Sequence, residues 1–254
     1  MKLPLVYLLP GFLLCGSLVQ PSHAQDTPEQ NAALEEMPAW LISFSNLPKE
    51  KREEYVTRLN QAKQAYHAGK WVDCIAYLAE CELIMTGNPN IWNLRASCLM
   101  EQKYFEEAEA ELNRVLAAMP GDQVALMNQA NLFMATGRYT QSLQILNSLR
   151  DALPLDADAE LHNVLAFRAM LCYLMLGQEK EAKEQMKHVS AMSDTPLYHF
   201  GKGACALSRG DRQEASRQIH LAEMIFANNK AYIPYQRSLA LSGILNIKPK
   251  LQLP

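Results

Sequence analysis

The chain has 254 residues, 49% of them hydrophobic, with 24 Lys+Arg against 27 Asp+Glu and only 11 Gly and 13 Pro. This composition excludes a disordered, collagen-like or disulfide-stapled chain. A net charge of -3 gives no electrostatic footprint for gripping a phosphate backbone over many contacts, so nucleic acid is not an expected partner.

The first segment reads as a targeting signal. Met1-Lys2 is basic, Leu3 to Val19 is nearly all apolar, and Ser22-His23-Ala24 puts small residues before a cut at Gln25. Pro10-Gly11 interrupts the apolar run, which is only as long as the shortest hydrocarbon-spanning helix; this favours a cleaved signal peptide, 1-24, over an anchor. Leu14 precedes Cys15 where a lipid-modified Cys would need a small neighbour. The expected location is exported, the periplasm first and secretion as the alternative. Residues 25-47 follow as a polar, acidic linker and an apolar segment, Met37 to Phe44, expected to fold back on the first helical unit; Pro48 can open the first long helix.

From Tyr55 onward apolar residues recur at helical spacing without strand-like alternation, so the chain reads as all-α. Gly69, Lys103 and Gly137 lie 34 apart, each followed two residues later by an aromatic (Trp71, Phe105, Tyr139), and the pattern resumes at Gly177 and Gly210. A small residue recurs at Cys74, Ala108, Ser142, Ala182 and Ala215, with a large apolar one four later at Leu78, Leu112, Leu146, Met186 and Ile219. Each unit is then a helix A, a tight turn at Gly and a helix B, the small residue letting the helices approach closely. The step from Gly137 to Gly177 is 40, which implies a longer loop or an extended helix A near Pro154 to Asp158, with a local break in the stack. The repeats span 48-228. A capping helix and tail occupy 229-254, with Pro234 to Leu245 packing on the fifth unit or forming an association surface.

This period resembles the tetratricopeptide repeat, W-x2-L-G-x2-Y then A-x3-F then P. The resemblance rests on Trp92-x2-Arg95-Ala96-x2-Leu99, Leu126-x2-Gln129-Ala130-x2-Phe133, Lys202-Gly203 with Ala206, and the prolines Pro120 and Pro154. It departs at Ala62 and Met170, where the family prefers Gly. The resemblance implies a right-handed α-solenoid of about five repeats with a C-terminal capping helix. It also implies a non-enzymatic scaffold or adaptor holding a peptide or helix of a partner protein in a concave groove lined by helix A. The groove residues it picks out are Lys63, Tyr66, Asn93, Ser97, Met127, Asn131, Met134, Phe167, Leu171 and Phe200, polar at the first end and rich in Met and Phe at the last. The clamp by which some relatives hold a chaperone's carboxyl terminus is absent, since its positions read Leu59/Lys63 and Met127/Asn131.

Two other functions stay open: a fixed subunit of an envelope assembly or secretion complex docking through its termini, and an enzyme or small-ligand binder with a pocket near residues 155-175, where Asp156, Asp158 and Glu160 could ligate a cation or simply favour a helix N-terminus. No catalytic residue is singled out: no GxSxG occurs, and Gly201-Lys202-Gly203 falls inside a helix. No cofactor is expected, and His67, His162, His188, His199 and His220 have no metal-ligand spacing. Cys74, Cys81, Cys98, Cys172 and Cys205 take small inward positions and are expected as buried thiols, with Cys81 to Cys98 the pair nearest to bridging.

Overall fold

The structure, a computed structural model, describes residues 37-154 and 159-247. The proposed signal peptide, the acidic linker to residue 36, residues 155-158 of the insertion and the tail 248-254 lie outside the described residues. Among the described residues there are twelve α-helices, one short 3-10 turn and no strand, so the chain is all-α. It divides into two compact units, 1-124 and 125-254.

In the first unit, α1 (Ala39–Ser45) precedes two helix pairs: α2 (Lys49–His67) with α3 (Trp71–Ile84), and α4 (Pro89–Glu101) with α5 (Phe105–Ala118). Pro48 stands at the N-cap of α2. Asn88 caps α4, its Oδ1 accepting from the Asn90 N–H at 3.0 Å, with Pro89 following where a missing N–H costs nothing. The Asn88 Nδ2 donates to the Tyr55 Oη at 2.8 Å, which ties the start of α4 to the start of α2. Phe44 of α1 meets the Tyr55 ring at 5.5 Å.

The second unit begins within α6 (Gln123–Ala135) and continues through α7 (Tyr139–Ala152), α8 (Ala159–Met175), α9 (Glu179–Glu184), α10 (Leu197–Ser208), α11 (Arg212–Ile225) and α12 (Ile233–Leu241), ending in the 3-10 turn Ile244–Asn246. Its core runs from Ala130 to Ile244 and draws on every one of these helices.

The repeated turn has one structure in five copies. The N–H of Gly69, Lys103, Gly137, Gly177 and Gly210 reaches back to the carbonyls of Tyr66, Met100, Met134, Leu174 and Leu207. The next residue's N–H closes on the carbonyls of Ala65, Leu99, Phe133, Tyr173 and Ala206 at 2.7 to 2.9 Å. This pair of bonds is the Schellman ending of a helix, and it needs a left-handed residue. All five turn residues have it, with φ between 65° and 83°, including Lys103 where the other copies have glycine.

The small residues opening each helix B are sealed: Cys74, Ala108, Ser142, Ala182 and Ala215 are buried. Ser142 satisfies its hydroxyl by donating to the Ala130 carbonyl at 2.9 Å. In the fifth repeat helix A adds its own clearance, against side chains of the fourth and fifth repeats. A Cβ on Gly201 would meet the Met186 Sδ at 2.1 Å, and one on Gly203 would meet the Ile219 Cγ1 at 3.1 Å. The extra residues after Gly137 extend helix A, since α8 has 17 residues against 13 in α4 and α6.

The fourth helix B departs from the periodic expectation. It stops after six residues at Glu184, and the chain passes through 3-10-type turns at Met186, Lys187 and Val189. Ser190 and Ser193 then hydrogen-bond locally, Ser193 Oγ accepting from the Ser190 N–H at 2.9 Å, and Pro196 disfavours helical geometry at Thr195.

Candidate functional site

The helix A faces of the two units differ. In the first unit, Val56, Lys63 and His67 of α2 and Asn90 of α4 are exposed, and Asn93 is half-buried. Two other expected groove residues there are core. Tyr66 packs against Trp71 at 5.1 Å, and Ser97 is buried with its Oγ donating to the Asn93 carbonyl at 3.1 Å.

In the second unit the expected groove positions are covered. Met127 is half-buried; Asn131, Met134, Phe167, Leu171 and Phe200 are buried, the last three with no exposed surface. What covers α8 and α10 is the C-terminal segment. Tyr235 of α12 lies 5.1 Å from the Phe167 ring and stacks at 5.4 Å on Phe200. The Tyr235 and Thr195 hydroxyls are 3.2 Å apart. The buried Arg168 donates from Nε to the Ser238 Oγ at 3.2 Å and from Nη1 to the Met127 Sδ. The Tyr139 hydroxyl donates to the Ser242 carbonyl at 2.9 Å, and Arg212 donates to the Leu245 and Ile247 carbonyls. Thus Phe167, Leu171 and Phe200 do not line an open groove: α12 packs on helix A of both the fourth and the fifth repeats.

An ion-pair network in the first unit escaped the periodic reading. Arg95 binds Glu82 and, at 3.0 Å, Glu111; Trp92 Nε1 donates to Glu82 at 2.9 Å, and Arg114 sits 4.0 Å over the Trp92 ring. Burial opposes the Arg95 charge, but the hydrogen bonds to Glu82 and Glu111 outweigh it and hold its pKa above the usual arginine value. The signal was in the sequence, in an Arg at the position where the repeat pattern carries Leu.

The five cysteines among the described residues are buried and unbridged. Cys98 shares a hydrogen bond with Cys74, not with Cys81, and that bond together with burial pushes the Cys98 thiol up. Cys81 points at the Tyr55 carbonyl, 3.8 Å away. Burial raises Cys81 to about 11 and Cys172 to about 12, and raises the Tyr55 phenol to about 12. Such thiols are protonated and inert. Among the described residues no three His, Cys, Asp or Glu side chains gather as a metal site. Of the acids near the insertion, Glu160 accepts from Thr195 at 3.3 Å, while Asp156 and Asp158 lie outside the described residues. A hollow of about 320 Å³ in the first unit is lined by Gln61, Gln64, Lys70, Asp73 and Tyr77 among others. No described helix is long and apolar enough to cross a membrane.

Comparison with known proteins agrees with this architecture. Residues 99-166 match the tetratricopeptide repeat family. The chain is 28% identical over 98 residues to a cellulose synthase operon protein C of Pseudomonas fluorescens, covering 39% of this chain and 8% of that protein. It is 26% identical over 177 residues to a tetratricopeptide repeat and J domain-containing co-chaperone of Fusarium oxysporum f. sp. lycopersici, covering 66% of this chain and 29% of that protein. The chain thus spans less than a third of either curated relative. Among solved structures, a thermophilic TPR protein from Thermus thermophilus superposes with a TM-score of 0.54 at 18% identity, covering 74% of this chain and all of that one. The shared fold is that of tetratricopeptide helix pairs.

Proposed function

We propose that the chain is a protein-interaction scaffold that works after export, and that it binds a peptide segment of its partner on the open helix A face of the first unit. The observation that carries this is the contrast in exposure: Val56, Lys63, His67 and Asn90 stand in solvent, while the equivalent face of α8 and α10 is filled by the chain itself. The exposed set mixes an aliphatic surface, a cation and amide or imidazole hydrogen-bonding groups, which suits an extended polar segment with a carboxylate better than a wholly apolar helix. Export rests on the basic, apolar and small-residue organisation of residues 1-24. A photo-crosslinking residue at position 63 or 90 of the full chain, expressed in its source cell, should give a discrete protein adduct, and one at Gln144 or Asp151 on helix B should not. Adducts at the helix B positions alone would sink the reading.

A second reading, a fixed subunit of a larger assembly, is favoured by one observation. The outward face of α3 carries Val72, Ala76, Ala79 and Leu83, all exposed, where the matching face of α7 carries Thr140, Gln144, Asn147 and Asp151. The similarity to a cellulose synthase operon protein of Pseudomonas fluorescens is in keeping with a role in a multi-component system. Leu83→Glu should release the chain from such an assembly while leaving its stability unchanged.

A further inference from the structure

The helix after the last repeat does not continue the stack. α3 packs on α4 and α7 on α8, a helix B supporting the next helix A, but neither α9 with α10 nor α11 with α12 repeats this packing. Instead α12 lies over α8 and α10, reaching α11 through a hydrogen bond from Gln236 Nε2 to Glu223 Oε1 at 3.0 Å. Its buried residues are Tyr235, Ser238, Leu239 and, just past its end, Ser242. These positions, i, i+3, i+4 and i+7, form the single buried stripe of a helix laid in a groove. The floor of that groove is aromatic, with Phe167 and Phe200 meeting edge-to-face at 5.9 Å beneath the Tyr235 ring.

The docked helix is bounded by two left-handed residues, Lys230 (φ 56°) before it and Gly243 (φ 72°) after it. Lys230 is a non-glycine in that conformation, so the closed arrangement carries a local backbone cost. The seat is also imperfectly matched. Gln236 Oε1 is buried without a hydrogen-bond partner among the described residues, while its Nε2 keeps the bond to Glu223. The backbone cost at Lys230 weighs against α12 staying docked.

We infer that the inner face of α8 and α10 is a second interaction surface held in cis by α12, and that its partner in trans is a short amphipathic helix. That helix presents an aromatic ring at the Tyr235 position, a small polar residue three later and an aliphatic residue four later. The resident segment therefore acts as a built-in competitor, and partner binding there requires its release. This rests on the scaffold reading but concerns the second unit alone, so crosslinking at positions 63 and 90 can fail without touching it, and the reverse also holds.

The test uses a fluorescent peptide of residues 230-247 as the probe, added to the full chain in two forms: wild type, and Tyr235→Ala/Leu239→Ala, which loosens the resident helix. Fluorescence anisotropy should show saturable binding to the variant, at least about tenfold tighter than to the wild type, because truncating a buried aromatic anchor is a large loss for the cis helix. A peptide carrying Tyr235→Ala should bind the variant at least about tenfold more weakly. Equal binding to both chains, or no binding to a variant that keeps the wild-type circular dichroism, overturns the inference. Hydrogen exchange on the wild type gives an arm independent of the variant's folding. Amides of α12 should exchange at least about tenfold faster than those of α8 and α10, and equal protection of the three helices would make α12 ordinary core and overturn the proposal.

Discussion

Lys103 is the repeat's turn residue in a form that L side chains rarely adopt, and replacing it tests the reading of the turn. It has φ 65° and makes the same two Schellman bonds as the glycines, its N–H to the Met100 carbonyl at 3.0 Å and the Tyr104 N–H to the Leu99 carbonyl at 2.9 Å. A left-handed non-glycine costs ~1-2 kcal/mol. Glycine removes that cost but returns up to about 1 kcal/mol through the greater freedom of the unfolded chain. Lys103→Gly should therefore stabilise the chain by about 0.5-1 kcal/mol. The converse, Gly137→Lys, should destabilise it by a similar amount. A Cβ there meets nothing within 4 Å, so the cost is conformational and not steric. Urea midpoints followed by circular dichroism at 222 nm give both values, and the double exchange should return near the wild type because distant sites add. A destabilised Lys103→Gly chain, or an unaffected Gly137→Lys chain, would refute the argument.

Stability should fall as pH rises from about 9 towards 11. Cys81, Cys172 and Tyr55 are held neutral by burial with folded pKa values of about 11, 12 and 12, so the unfolded chain loses these protons first; the contribution is complete below their ordinary values and lost above them. Urea midpoints at pH 7.5, 9 and 10.5 should fall in that order. In a Cys15→Ser chain, the five remaining thiols should resist a disulfide reagent at pH 8 until denaturant is added; rapid labelling of any of them in the native state would contradict their burial. Arg95→Leu restores the residue of the repeat pattern but leaves Glu82 half-buried without its cation and Glu111 with only the longer pair to Arg114 at 3.5 Å, and should cost about 1-3 kcal/mol by urea denaturation. Adding Glu82→Gln and Glu111→Gln should recover part of that loss.

The parts of the fold written locally in the sequence are the ones it discloses. The turn residues from Gly69 to Gly210 and the small residues from Cys74 to Ala215 recur because each copy solves the same problem, a left-handed helix end followed by a close helix contact. The short fourth helix B was hidden by the same periodicity. Ala182 and Met186 keep the register, while the local bonding of Ser190 and Ser193 and the stop at Pro196 act against the helix. The site was harder to read for a different reason. Register places Phe167 and Phe200 on the inward face of their helices, but what lies over that face is set by Tyr235, far along the chain and outside the repeat, and no period connects them. Tyr66 failed as a groove residue because its own repeat supplies a cover, Trp71. Lys63 stays exposed and Asn93 half-buried.

Hydroxyl-radical footprinting of the full chain tests the central contrast most directly. In the wild type, Phe167 and Phe200 should be oxidised far more slowly than the half-exposed Tyr104, whereas His67 should react readily. In Tyr235→Ala/Leu239→Ala, Phe167 and Phe200 should become reactive while Tyr66 stays protected and the helical signal is kept. Wild-type Phe167 and Phe200 reacting as fast as Tyr104 would contradict the account, because helix A of the last two repeats would then be as open as an exposed turn.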